Sequence, residues 1–205
     1  MINPHTLIAI VTVGVSILAF QNRELFNKCL MYPYGITRKN DQWYRLITHA
    51  FIHADWMHLL FNMIALWSFG NAVFNYFAIT TSSPSMYFFI MYFLAILFSS
   101  IPDLTKHKND MYYSSLGASG AVSAVIFFNI LLDPWSMILI FFIPCPGIIF
   151  GVVYLIYSNY MGKRGGGNIS HDAHFYGAVF GLLYPLFVEP SIYMNFIHRL
   201  LNPSW

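Results

Sequence analysis

The chain has 205 residues and a formal net charge of +2, and its composition is strongly apolar: 58% of the residues are hydrophobic and only 9% are charged. Soluble domains carry about 25% charged residues. Disordered chains and nucleic-acid-binding proteins also need more charge than the 10 Lys and Arg and 8 Asp and Glu residues supply. The composition therefore excludes these classes and predicts a polytopic membrane protein. Such a protein is embedded in the lipid bilayer, and we expect no nucleic acid as a partner.

Six apolar runs follow one another along the chain, each of about 15 to 25 residues, the length that spans the hydrocarbon core of a bilayer. They cover residues 6–20, 58–77, 86–101, 116–132, 136–157 and 173–188. The first run lacks the basic residues and cleavage site of a signal peptide, so we expect it to be retained. The sequence thus predicts one all-α membrane domain over residues 1–205, built as a bundle of six membrane helices.

Two features of the segments around these runs matter for the architecture. The connectors 21–57, 102–115 and 158–172 are long and polar, whereas 78–85 and 133–135 are short. In a six-helix chain the long connectors lie on one side, so the N-terminal ends of helices two, four and six are predicted to share that side. Within the fifth run, Pro144 and Pro146 remove backbone donors, and we expect a kink near the middle of that helix.

Polar side chains mark the same end of the three even-numbered helices, although such groups are costly inside a membrane. His58 and Asn62 lie one helical turn apart at the start of helix two, Ser119 begins helix four and His174 begins helix six. No acidic residue lies within a predicted span. The pattern therefore favours a Ser119–His174 dyad over a triad, with His58, Asn62 and the Ser119 amide as candidate donors to an oxyanion.

Small residues accompany both members of this pair: Gly117 and Gly120 flank the serine, and Gly177 and Gly181 follow the histidine. The glycines beside the serine allow close backbone approach and free amides at a helix N-terminus, where an anion is stabilised. Those after the histidine have the small-xxx-small spacing that permits helices to touch. Small residues that serve only for tight packing are an equally good interpretation of the serine motif taken alone.

Together these motifs resemble those of the rhomboid intramembrane serine proteases, and the resemblance extends over all six runs. Gly117-Ala118-Ser119-Gly120 resembles the family's nucleophile motif, and His174 with Gly177 and Gly181 resembles the motif of its base on the sixth helix. The stretch from His58 to Asn62 resembles its His-x-x-x-Asn motif. Trp43-Tyr44-Arg45 resembles the Trp-Arg element of its first loop. The resemblance implies a serine endopeptidase that cleaves transmembrane segments of other membrane proteins without a metal or organic cofactor. It also implies that Ser119 is the nucleophile, that His174 is the general base and acid, that His58, Asn62 and the Ser119 amide hold the oxyanion, and that Arg45 is structural.

One position departs from the family pattern. An aromatic residue commonly lies one turn after the nucleophile, beneath the histidine ring, and here that position is Ser123. Ser123 could serve for packing alone, or Phe175 or Tyr176 could supply the stacking ring. The sequence leaves these alternatives open.

Two other functions also stay open. An inactive rhomboid-like protein would bind membrane proteins and act in their routing or quality control. His49 and His53, four residues apart, could mark a metal or haem site, although loop histidines that hydrogen-bond to their surroundings are the simpler interpretation.

The orientation of the chain is predicted differently by charge and by resemblance. Nine of the ten basic residues lie in the long connectors, which by the positive-inside rule puts that face in the cytoplasm. The resemblance implies the opposite, a multi-pass protein of the cell inner membrane whose active site opens to the extracytoplasmic side. We follow the resemblance.

Overall fold

A computed structural model describes residues 2–39, 41–140, 143–164 and 170–203. Within these ranges the chain forms ten α-helices, two short 3-10 helices and one two-stranded hairpin. In chain order they are α1 (Pro4–Gln21), α2 (Arg23–Cys29), α3 (Pro33–Arg38), α4 (Arg45–Thr48), a 3-10 helix (His49–Phe51), α5 (Trp56–Thr80), α6 (Pro84–Lys106), α7 (Ser119–Leu132), β1 (Met137–Ile140), β2 (Ile143–Pro146), α8 (Gly147–Arg164), α9 (His171–Leu183), a 3-10 helix (Tyr184–Phe187) and α10 (Ser191–Leu201).

The lengths of these helices indicate an integral membrane protein. Among the described residues, α1, α5 and α6 are long and apolar enough to cross a bilayer. A fourth span results if α9, its following 3-10 helix and α10 are counted as one broken span, bent by 117°. Helix α7 has 14 residues, which at 1.5 Å per residue reach about 21 Å of a core of about 30 Å. Length and composition thus support three or four spans, and the predicted count of six is not confirmed.

The fifth apolar run folds differently from the prediction. Strands β1 and β2 pair antiparallel, with Ile138 opposite Cys145 and Met137 opposite Pro146, and α8 begins only at Gly147. The expected kink in the middle of a helix was therefore wrong. Proline lacks the amide hydrogen that a helix interior requires but is tolerated on the edge of a short hairpin, so the chain here leaves the helical conformation altogether.

Helix α7 is the centre of the bundle. Eleven of its 14 residues are buried, and it packs against α5, α6 and α9, while α1 packs on α5 and α8 packs mainly on α9. Because α7 is enclosed by its neighbours, its first residue, Ser119, is held at a defined place between them.

The long first connector is folded against this bundle. The guanidinium of Arg45, the first residue of α4, donates hydrogen bonds to the carbonyl oxygens of Asn27 (2.8 Å) and Leu30 (2.9 Å). The backbones of Met31 and Ser115 pair as an antiparallel bridge, so the connector is tied to the loop that leads into α7.

Candidate active site

Ser119 and His174 are in direct contact, although 55 residues separate them in the sequence. Ser119 Oγ lies 2.7 Å from His174 Nε2. Ser119 is the first residue of α7 and His174 lies in the first turn of α9, so the N-terminal ends of two neighbouring helices carry the two groups. When Nε2 carries no proton, the serine hydroxyl donates to it, which is the arrangement that activates a nucleophile.

The close approach of α7 and α9 depends on glycine. A Cβ atom on Gly177 would collide with the backbone carbonyl of Gly120, and one on Gly181 would collide with the carbonyl of Ala124. The two helices therefore touch backbone to backbone along one face, and this contact brings their first turns together.

His58 packs against the loop that precedes Ser119. Gly117 has a φ of +111°, in the region that favours glycine, and a Cβ atom there would lie 2.7 Å from His58 Cε1. At the start of α5 the carboxylate of Asp55 accepts a hydrogen bond from the His58 amide at 2.8 Å and caps the helix. The His58 ring consequently stands directly beside the glycine loop.

Asn62 is held within its own helix. It is 7% exposed, and its Nδ2 donates to the carbonyl of His58 at 2.8 Å. Among the described residues, Ser119, His174 and His58 line one small cavity, and Asn62 is not part of that lining.

The cavity beside Ser119 has a volume of about 30 Å³. Its polar lining comes from four α-helices (α5, α6, α7 and α9), the 3-10 helix His49–Phe51 and the adjoining loops: His49, His58, Ser99, Ser100, Asp103, Ser115, Ser119, Ser170 and His174. A polar cavity of this size accommodates about one or two water molecules.

The ring beside His174 comes from α8. The ring centroids of Tyr154 and His174 lie 6.1 Å apart, with the planes inclined by 19°. In the described part of the chain, Phe175 and Tyr176 contact each other, and Tyr176 also contacts Phe98, so neither of the two rings suggested by the sequence stacks on the histidine. No motif marks Tyr154, and only the packing of α8 could identify it.

Ser123, at the position where the resemblance leads one to expect an aromatic residue, contacts this ring. Its Oγ donates to the carbonyl of Ser119 at 2.8 Å and lies 2.6 Å from the hydroxyl of Tyr154. The missing aromatic side chain of α7 is thus replaced by a hydrogen bond to a tyrosine of another helix.

A buried carboxylate near the site was missed by the sequence interpretation. Asp103 is 3% exposed and lies within α6, which continues beyond the predicted end of the third span. It accepts hydrogen bonds from the hydroxyls of Ser115 (2.6 Å) and Ser170 (2.7 Å), and Ser170 in turn caps α9 by accepting from the Ala173 amide at 3.2 Å. One carboxylate therefore connects the loop before Ser119 with the cap of the helix that carries His174. The signal in the sequence was Asp103 itself, a charged residue just after the apolar run 86–101 that α6 still includes.

His49 and His53 are buried and hydrogen-bonded. His49 Nε2 lies 3.0 Å from Ser100 Oγ, His53 Nδ1 lies 3.0 Å from Ser16 Oγ, and His53 Nε2 accepts from the Ala118 amide at 3.4 Å. Burial lowers the pKa of His49 to about 4 and that of His53 to about 3, so both rings are neutral. Within the described residues, no group of three or more His, Cys, Asp or Glu side chains is arranged to hold a metal ion. The observed hydrogen bonds favour a structural role for the two histidines.

Comparison with known proteins gives a consistent family match. The protein-family model described as the Rhomboid domain matches residues 40–191 of the sequence. The chain is 30% identical over 156 residues to RHOMBOID-like protein 12, mitochondrial, of Arabidopsis thaliana, which covers 68% of this chain and 45% of that protein. It is 30% identical over 155 residues to Rhomboid protein 1, mitochondrial, of Saccharomyces cerevisiae, which covers 72% of this chain and 42% of that protein. The chain spans less than half the length of either curated relative.

Proposed function

Because the chain belongs to the rhomboid family, we propose that it is an intramembrane serine endopeptidase that cleaves a peptide bond in or near the transmembrane segment of another membrane protein. The observation that carries this proposal is the 2.7 Å contact between Ser119 Oγ and His174 Nε2. A hydroxyl hydrogen-bonded to a neutral imidazole is the arrangement from which a serine attacks a carbonyl carbon.

In the proposed reaction His174 acts first as a general base and then as a general acid. Nε2 accepts the hydroxyl proton as Ser119 Oγ attacks the scissile carbonyl, and then gives that proton to the amine that leaves. The Ser119 ester that results is hydrolysed when His174 takes a proton from water and the oxygen of that water attacks the ester carbonyl. The carbon–Oγ bond then breaks, the imidazolium returns its proton to Ser119 Oγ, and the new carboxyl end leaves, which regenerates the serine and the neutral imidazole. The small polar cavity beside Ser119 has room for that water.

The oxyanion of the tetrahedral intermediate needs hydrogen-bond donors, each worth about 10² to 10³ in rate. The backbone amides at the start of α7 have no partner within that helix and are available for this purpose. We propose His58, whose ring lies beside Gly117, as a second donor. Asn62 would join them only by giving up its bond to the His58 carbonyl.

The proposed substrates are transmembrane segments that unwind locally. An intact helix hides its carbonyl groups in hydrogen bonds, so the bond to be cleaved becomes accessible only where the helix opens. We therefore expect small or helix-destabilising residues near the cleaved bond.

The proposed orientation of this multi-pass protein opens the site to the extracytoplasmic side. Both relatives carry mitochondrial names, so we propose a mitochondrial membrane as the first location to test, in place of the cell inner membrane expected from the sequence. Fractionation with protease protection of the first connector distinguishes the two locations and the two orientations.

A serine-directed fluorophosphonate probe tests the proposed chemistry. It should label the wild type but neither Ser119→Ala nor His174→Ala, and the same two variants should fail to cleave a transmembrane reporter. Ser82→Ala and His198→Ala, both at exposed positions, are matched controls that should label normally. A folded wild type that neither labels nor cleaves would overturn the protease proposal and favour the inactive, membrane-protein-binding alternative.

A further inference from the structure

We propose that Tyr154, on α8, is a positioning residue that holds the His174 imidazole at the angle required by Ser119. This inference rests on the proposed protease function. It assigns a role to a residue that lies outside the serine and histidine motifs.

The first observation is the contact between the rings. Their centroid separation of 6.1 Å and interplanar angle of 19° describe a nearly parallel, offset pair. Offset pairs with centroids about 4.5 to 7 Å apart are attractive for aromatic rings. Tyr154 therefore lies alongside the imidazole in a nearly parallel orientation, while the Nε2 of His174 is directed to Ser119.

The second observation is that Tyr154 is itself held in place. Ser123 Oγ uses its hydrogen to donate to the Ser119 carbonyl, so the Tyr154 hydroxyl is the donor in the 2.6 Å contact with Ser123. The ring is also packed against Phe127 (5.6 Å between centroids) and Phe150 (5.4 Å). A rigid ring restrains the imidazole that stacks on it.

The third observation concerns what else restrains His174. Among the described residues, no carboxylate hydrogen-bonds to its Nδ1, the contact that orients the base in a catalytic triad. Its other ring neighbour is His171, in an edge-to-face contact with centroids 6.0 Å apart. In the described part of the chain, where no carboxylate orients His174, the nearly parallel tyrosine is the aromatic contact that we infer to limit rotation of the imidazole plane.

These contacts join three helices in one chain of interactions: the Ser119 carbonyl and Ser123 on α7, Tyr154 on α8, and His174 on α9. The alignment of the serine and histidine therefore depends on the docking of α8, which contributes neither group.

Two variants at position 154, with a control at position 160, separate the contribution of the ring from that of the hydroxyl. Tyr154→Phe keeps the ring, Tyr154→Leu replaces it by a smaller apolar side chain without a ring, and Tyr160→Ala, exposed on the same helix, is the control. Cleavage of a transmembrane reporter is measured in liposomes, and fluorophosphonate titration counts the competent sites. Misplacement of a reacting group by about 1 Å costs up to about 10²-fold in rate.

For Tyr154→Leu we expect kcat per titrated site to fall about 10- to 100-fold with KM unchanged, because the proposed role of the ring is to align the imidazole in the chemical step. Tyr154→Phe should retain kcat within about threefold, and Tyr160→Ala should match the wild type. If Tyr154→Leu and Tyr154→Phe have the same kcat per site, or if Tyr154→Leu loses only titratable sites, the residue is merely structural and the inference is overturned. An active wild type with this result leaves the protease proposal standing, whereas a folded wild type that neither labels nor cleaves overturns both.

Discussion

Gly177 of α9 lies directly against the backbone carbonyl of Gly120 on α7, with no room for a side chain between the two helices. Because Ser119 and His174 occupy the first turns of these helices, this backbone contact sets the separation of the two groups. The 2.7 Å distance between them is thus a property of helix packing as much as of the two side chains.

Gly177→Ala should separate the helices and strongly reduce activity. The added methyl group overlaps the Gly120 carbonyl, so α9 must shift, at a cost of about 1 to 3 kcal/mol in stability. A shift of about 1 Å lowers the cleavage rate by about 10²-fold or more. Reporter cleavage and thermal unfolding are the measurements. Gly14→Ala on α1, where an added Cβ meets nothing within 4 Å, should leave cleavage unchanged and should not lower stability. Equal losses in the two variants would contradict the packing argument.

Asp103→Asn should weaken the connection between the loop before Ser119 and the cap of α9. The amide keeps the size of the carboxylate but replaces one acceptor oxygen by an NH2 donor, so Ser115 and Ser170 can no longer both donate to residue 103. Hydrogen bonds to a charged group contribute about 1.5 to 3 kcal/mol, and part of this is lost when the carboxylate becomes a neutral amide. The free energy of chemical unfolding and kcat/KM should both fall in Asp103→Asn. Asp41→Asn, at an exposed position, should change neither quantity. An unchanged free energy of unfolding in Asp103→Asn would show that the carboxylate is dispensable for stability.

Stability should decrease as the pH falls below 6.5, because His49 and His53 are buried in their neutral forms. Their pKa values are lowered by burial to about 4 and about 3, whereas in the unfolded chain both rings titrate near 6.5. Below pH 6.5 the unfolded state therefore binds more protons than the folded state. The stabilisation is complete above pH 6.5 and is lost toward pH 4 by up to about 1.4 kcal/mol per pH unit for each histidine.

The measurement for this prediction is the free energy of unfolding in detergent from about pH 8 to about pH 5. The variant His49→Gln should reduce the pH dependence, because its side chain does not titrate, and His198→Gln, exposed on α10, should leave it as in the wild type. A wild-type profile that is flat across this range would contradict the prediction.

Arg45→Ala should loosen the first connector. The guanidinium holds the carbonyl groups of Asn27 and Leu30 at the end of α2, and its loss leaves both without this donor. Limited proteolysis should therefore cut the connector faster, with a loss of about 1 to 3 kcal/mol in stability. Both bonds come from one nitrogen, Nη1, so Arg45→Lys, whose ammonium group also carries several donor hydrogens, should restore part of the loss. Exposed Lys39→Ala is the control, and an equal cutting rate in both alanine variants would argue against this role for Arg45.

The helical elements could largely be predicted from apolar runs, and their ends could not. The runs at 6–20, 58–77 and 86–101 correspond to α1, α5 and α6, which extend from one to five residues beyond them at each end. Helix ends depend on local caps, such as Asp55 before α5, and on polar residues that a helix still accommodates, such as Asp103. The run at 136–157 was mistaken for a helix throughout, because an apolar hairpin that contains prolines has the same hydropathy as a kinked span.

The sequence by itself determined that this is a helical membrane protein of the rhomboid type, with a serine and two histidines at the same end of three helices, because run lengths and short motifs are local properties of the chain. Tertiary structure decided that Tyr154 faces His174 and that Asp103 joins two loops. In a soluble helix the apolar stripe indicates the buried face, but a membrane helix is apolar toward lipid and toward protein alike. The pattern therefore does not reveal which helices meet, and residues that act across a helix interface become recognisable only once the helices are packed.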